Sequence, residues 1–152
     1  MQIGTKKKVF IAISMMALVA GLYGYMEYTR GSKDLLYTKA DHVTIAKDLI
    51  KEFEENEKAA NEKFINKIIA VNGSVKDVIK DGDKFYTVML GDAAGTSSVR
   101  CSMDANHQPE AALLQLRGDV TIKGICTGFN ADDLLGSDVI LNRCIIEKKG
   151  PE

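Results

Sequence analysis

Two histidines, three cysteines and several paired aspartates are the residues of this 152-residue sequence that could carry covalent or metal chemistry. His42 and His107 have no Cys or carboxylate partner at metal-ligand spacing, so both are expected to be solvated loop residues and no metal site is expected. A serine nucleophile would sit on a marked turn, and no Gly-x-Ser-x-Gly is present. Asp81, Asp83, Asp132 and Asp133 fall in Gly/Asn-rich stretches, where acids form turns by accepting nearby backbone N–H groups. Gly91-Asp92-x-x-Gly95 lacks the Lys-Ser/Thr that a phosphate cradle needs. The sequence therefore predicts neither an enzyme nor a bound cofactor.

The elements that would position a binding surface are clearer. Residues 1–8 form a basic tail with Lys6, Lys7 and Lys8, followed by an uncharged run from Val9 to Met26. As a helix that run spans roughly 27 Å, near the thickness of a bilayer's hydrocarbon layer. Tyr23, Tyr25 and Tyr28 at its far end suit an interfacial belt, and the lysines should stay inside. The expected placement is a single-pass membrane protein with its soluble domain on the extracytoplasmic (periplasmic) side. The alternatives are secretion after cleavage near Leu18-Val19-Ala20 and a cytoplasmic location. Residues 1–42 carry six Lys/Arg against three Asp/Glu, and residues 43–152 carry 14 against 18. The acidic balance of the second part lacks the excess expected of a general nucleic-acid binder.

Residues 27–42 read as a linker. Over 43–64, Ala46, Leu49, Ile50, Phe53, Ala60 and Phe64 recur at helical spacing, predicting one amphipathic helix with Thr44 as its N-cap. From Ile65 the period becomes two. Strands are expected at Ile69–Val75 with a bend at Gly73, at Phe85–Leu90 after a Lys80–Asp83 turn, and at Ser97–Met103. A short helical patch is expected over Glu110–Arg117, started by Pro109, carrying Leu113, Leu114 and Leu116 and ended by Gly118. Strands at Asp119–Cys126 and Val139–Ile146 follow, separated by a loop over 127–137, and 148–152 is a polar tail. Three strands, a short helix and two strands is the chain order of a five-stranded OB barrel, here assigned to 65–147.

An OB barrel binds through its second and third strands and flanking loops. That face would offer Phe85, Tyr86 and Arg100, with Lys123 and Phe129 at its edge. Aromatic rings there could stack on bases or sugars; the favoured expectation is that one of Phe85 and Tyr86 is core and the other a lone surface ring. The leading expectation is a non-catalytic binding module for a protein or small-molecule partner. Nucleic-acid or oligosaccharide binding through the barrel face is the alternative.

Ala46-x-x-Leu49-Ile50-x-x-Phe53, Glu57-x-x-Ala60-Asn61-x-x-Phe64, Lys67-x-x-x-Val71-x-Gly73-x-Val75, Val99-x-Cys101, Gly118-Asp119-Val120, Lys123-Gly124-x-Cys126-x-Gly128 and Val139-x-Leu141-x-x-Cys144 recur through residues 44–146. Together they resemble the bacterial OB-fold family labelled tRNA anticodon-binding-domain-like, often carried behind a membrane anchor. The resemblance implies the fold. It implies no particular ligand and carries over no functional residues.

In an OB barrel the third and fifth strands are parallel neighbours. Cys101 and Cys144, both late in those strands, should then lie toward one end of the barrel, which makes a Cys101–Cys144 disulfide conceivable. Cys126, ending the antiparallel fourth strand, is expected near Asp138 at the other end. Three buried, reduced thiols remain the alternative.

Overall fold

Val43-Thr44-Ile45 is a β-branched run, and such residues favour a pleated backbone. In the computed structural model, which describes residues 14–25, 35–82, 85–132 and 134–147, the run forms strand β1 (His42–Ile45). The helix therefore starts later than expected, and Thr44 caps nothing. Helix α1 (Ala46–Glu55) follows Ile45, which makes no side-chain cap. Asn56 interrupts the stripe and starts helix α2 (Glu57–Phe64), its side-chain oxygen accepting the Ala59 N–H at 3.1 Å. One amphipathic helix is thus two. Ala46, Leu49, Ile50, Phe53, Ala60 and Phe64 nevertheless all face the core.

Five strands build the barrel: β2 (Ile68–Asp81), β3 (Phe85–Leu90), β4 (Ser98–Met103), β5 (Asp119–Asn130) and β6 (Asp138–Glu147). The sheet order is β1-β2-β3-β4-β6-β5, and pairing of β2 with β5 closes the ring. The parallel β4–β6 pair, with β5 antiparallel to both β6 and β2, completes the OB arrangement. Strand β2 serves two neighbours: Ile68–Ser74 pairs with β5, and Val75–Asp81 pairs with β3. The register shift lies between Val75 and Asp77, just after Gly73. Gly73 itself permits a close approach, since a Cβ there would lie 2.9 Å from the Ala46 Cβ. Strand β1 runs parallel to the first half of β2 and pairs its outer edge.

Between β4 and β5 the helix is only α3 (Gln108–Ala111), with Pro109 in its first turn. Gln108 fixes it: its side-chain oxygen accepts the Tyr86 N–H at 2.6 Å, and its amide donates to the Met103 carbonyl at 2.7 Å. The helix thus starts earlier and ends sooner than the expected Glu110–Arg117. Ala111 is buried and Leu114 packs against the core, whereas Leu113 and Leu116 are exposed.

The expected linker is in part a cover. The 3₁₀ turn Leu35–Tyr37 lies against β6, and Leu35 is buried with Ala70 and Ile145 on the outer side of the sheet. Asp41 exchanges two bonds with the Ile68 backbone, at 2.8 and 2.9 Å. His42 is likewise no solvated linker residue, because its ring meets Phe64 edge-on at 5.2 Å. His107 is also largely buried, 3.7 Å from Glu110.

The chain divides into Met1–Asp34 and Leu35–Glu152. In the first unit residues 14–25 are helical. Among the described residues no helix is long and apolar enough to cross a membrane. Much of the 9–26 run, the basic tail 1–8, residues 27–34 and the tail 148–152 lie outside the described residues.

Candidate functional site

The five residues expected to form one ligand face are dispersed by strand alternation. Along β3, Tyr86, Val88 and Leu90 turn toward the core, and Phe85, Thr87 and Met89 turn outward. Phe85 is 65% exposed, so it is the surface ring and Tyr86 the packed one. Arg100 pairs in register with Met89 and stays on the outer face, where Asp138 holds it at 3.1 Å. Asp138 is itself fixed by the Ser98 hydroxyl at 3.0 Å. Asp81 and Asp77, opposite Phe85 and Met89, add negative charge to the same face. Lys80, in register with Tyr86, holds its ammonium 6.0 Å from the centre of that ring.

Lys123 does not belong to that face. It is 5% exposed, between Ala70 and Ile145 in register, and its ammonium meets Glu147 at 2.9 Å. The reason is the packed segment before β1, which covers this part of the sheet. A buried, paired lysine offers a ligand little.

Phe129 belongs to a different site, which sequence reasoning missed. The expected 127–137 loop is shorter, because β5 runs on to Asn130 and pairs Phe129 with Val139. That extension stacks Phe129 on Phe53 of α1, with centroids 5.0 Å apart and planes at 22°. Beside the rings opens a cleft of about 430 Å³ between α1 and the loops before β4 and β6. Glu54, Glu57 and Asp132 bring carboxylates to it, Ser97 and Ser137 bring hydroxyls, and no basic residue lines it among the described residues.

Its walls are rigidly joined. The Ser137 N–H donates to the Ser97 hydroxyl at 3.1 Å, and that hydroxyl donates to Glu54 at 2.8 Å. The Ser98 N–H meets the Ser137 carbonyl at 2.9 Å. Asp132 is a turn former, as expected: one carboxylate oxygen accepts the Leu134 and Leu135 N–H groups at 2.8 and 2.9 Å. Those bonds, Leu135's first, hold its carboxyl below the ordinary value, so it stays charged. The turn also presents Leu134 and Leu135 to solvent, 90% and 79% exposed. Only the joint position of Glu54, Phe53 and Phe129 on elements far apart in sequence makes this a site. The one local hint was Phe129, an aromatic just before the acidic turn.

Among the described residues no three His, Cys, Asp or Glu side chains are grouped to hold a metal. A family model, tRNA_anti-like, matches residues 1–145. No curated protein matches. Among solved structures, a proposed nucleic acid-binding lipoprotein from Klebsiella pneumoniae is 17% identical, with a TM-score of 0.53 over 69% of this chain and 91% of that one. Asparaginyl-tRNA synthetase from Pyrococcus horikoshii is 20% identical, at a TM-score of 0.39 over 55% of this chain and 20% of the synthetase. At these identities the first likeness bears on the fold alone.

Proposed function

The chain belongs to the tRNA_anti-like family, and from that premise we propose that it is a non-catalytic binding module, held at a membrane by its N-terminal segment with the barrel outside. The cleft beside Phe129 receives a protein segment that carries a basic side chain next to an apolar one. The observation that supports this reading is the cleft's lining: three carboxylates around an aromatic pair, with no Lys or Arg among the described lining residues. A cation gains from the carboxylates and from a ring face, and Leu134 and Leu135 offer apolar cover at the rim. A polyanion would meet repulsion there.

Photo-crosslinking residues at Thr96 and Ser137 are expected to capture one protein partner in membranes, and the Glu54→Lys/Glu57→Lys double variant should cut that capture about tenfold. Capture from Thr87 on the sheet face instead, or salt-sensitive micromolar binding of single-stranded RNA in near-physiological salt, would overturn the reading.

Placement is tested separately. Lys6–Lys8 before the uncharged run favour an outside domain. Protease added outside intact inner membrane is expected to digest residues 30–152, and protection of the domain would refute this location.

A further inference from the structure

The barrel closes where β4 and β6 run parallel, and two cysteines meet at that seam. Cys101 is in register with Leu141, Met103 with Cys144, and the pairing is irregular between them. Both side chains turn inward and are 0% exposed. Both thiols are free in the structure; burial and then the nearby Cys101 thiol push the Cys144 thiol up, and the Cys101 sulfur lies 3.8 Å from the Val99 carbonyl. Gly124 on β5 makes room for this meeting, because a Cβ there would lie 2.5 Å from the Cys144 sulfur. Cys126 is not at the far end near Asp138, as the sequence suggested. The longer β5 sets it opposite Leu141. Its sulfur hydrogen-bonds with the Gly128 backbone, and burial pushes its thiol up to about 11.

We propose that Cys101 and Cys144 close a disulfide across the β4–β6 seam, leaving Cys126 as a buried thiol. The reaction is thiol–disulfide exchange with an external disulfide, such as that of a dithiol oxidoreductase or oxidised glutathione. One cysteine thiolate attacks that disulfide, forming a mixed disulfide and expelling one thiolate. The second cysteine thiolate attacks the mixed-disulfide sulfur on the first, forming the Cys101–Cys144 bond and releasing the second thiolate. The two cysteines lose two protons and two electrons, and the external disulfide is reduced to two thiols. Neither sulfur is reachable in the closed barrel, so exchange takes place before the seam shuts and the finished bond is then sealed from reductants. That the bond forms in the cell rests on the extracytoplasmic placement.

The full chain in detergent, denatured and reduced, is refolded in a reduced/oxidised glutathione buffer and digested without reductant. The expected product is a Cys101–Cys144 peptide with Cys126 alone alkylated. Three alkylatable thiols, or any bridge to Cys126, would overturn the pair. Once folded, the oxidised chain should release thiols to dithiothreitol only when denaturant is added, and release without denaturant would overturn the sealing. Cys101→Ser/Cys144→Ser should melt lower by on the order of 10 °C than the oxidised chain, with Cys126→Ser retaining the bridge. The same mapping on protein quenched by alkylation in native membranes separates the premises. A bridge after refolding but three thiols in the cell would refute the placement and leave the pair standing.

Discussion

Replacing Phe53 with alanine is expected to destabilise the Leu35–Glu152 unit by about 3–5 kcal/mol. The ring is 1% exposed and lies between two others, with Phe129 stacked at 5.0 Å and Phe64 tilted at 5.8 Å. Neither neighbour is free to collapse into the void. Phe129 is held in the β5–β6 ladder, and Phe64 meets the His42 ring on its edge. The loss should therefore fall at the severe end for a buried aromatic. Urea unfolding followed by circular dichroism would measure it. A loss below about 1 kcal/mol would show that the two helices are not part of the barrel's cooperative unit.

Gly136→Ala should be the most damaging change that leaves the core untouched. The residue has φ of +93°, where an L side chain is strained, and its Cβ would stand 2.5 Å from the Thr96 carbonyl carbon and 2.7 Å from the Thr96 carbonyl oxygen. Backbone strain and overpacking of this kind cost about 1–3 kcal/mol each, so about 2–6 kcal/mol in all is expected. The backbone of Thr96 cannot yield without parting the loops that frame the cleft. Faster hydrogen exchange at the Ser98 and Ser137 N–H groups should accompany the loss, because those bonds tie one loop to the other. Gly128→Ala is the control, since a Cβ at 128 meets nothing within 4 Å. It should change stability by no more than about 0.5 kcal/mol. Equal losses in both variants would remove the special role assigned to residue 136.

The barrel was legible because its signals are local. Strand alternation puts Val99, Cys101 and Met103 on one face, and all three are buried. Helical spacing likewise identified every core residue from Ala46 to Phe64. What misled was local preference set against pairing. Val43–Ile45 reads as the approach to a helix until β2 offers it a partner, and Thr127–Asn130 reads as loop until Phe129 finds Phe53. Lys123 was assigned to the surface because charged residues usually lie there. Only the fold shows that Leu35 and its turn cover that side of the sheet and that Glu147 waits beside the ammonium. The cleft was illegible for the same reason. Residues 53, 97, 129 and 132 share no spacing, and β-topology alone makes them neighbours.

The packed segment ahead of the barrel has a mechanical meaning. A pull arriving from the N-terminal side would not reach the ring directly. It would first have to lift Leu35 from its seat and then break the bonds between Asp41 and the Ile68 backbone. Next it would meet the four residue pairs joining His42–Ile45 to Ile69–Asn72. Strand β1 thus acts as a strain relief, like the clamp where a cable enters a housing: the edge pairs between β1 and β2 take the tension before the pairs that close the ring.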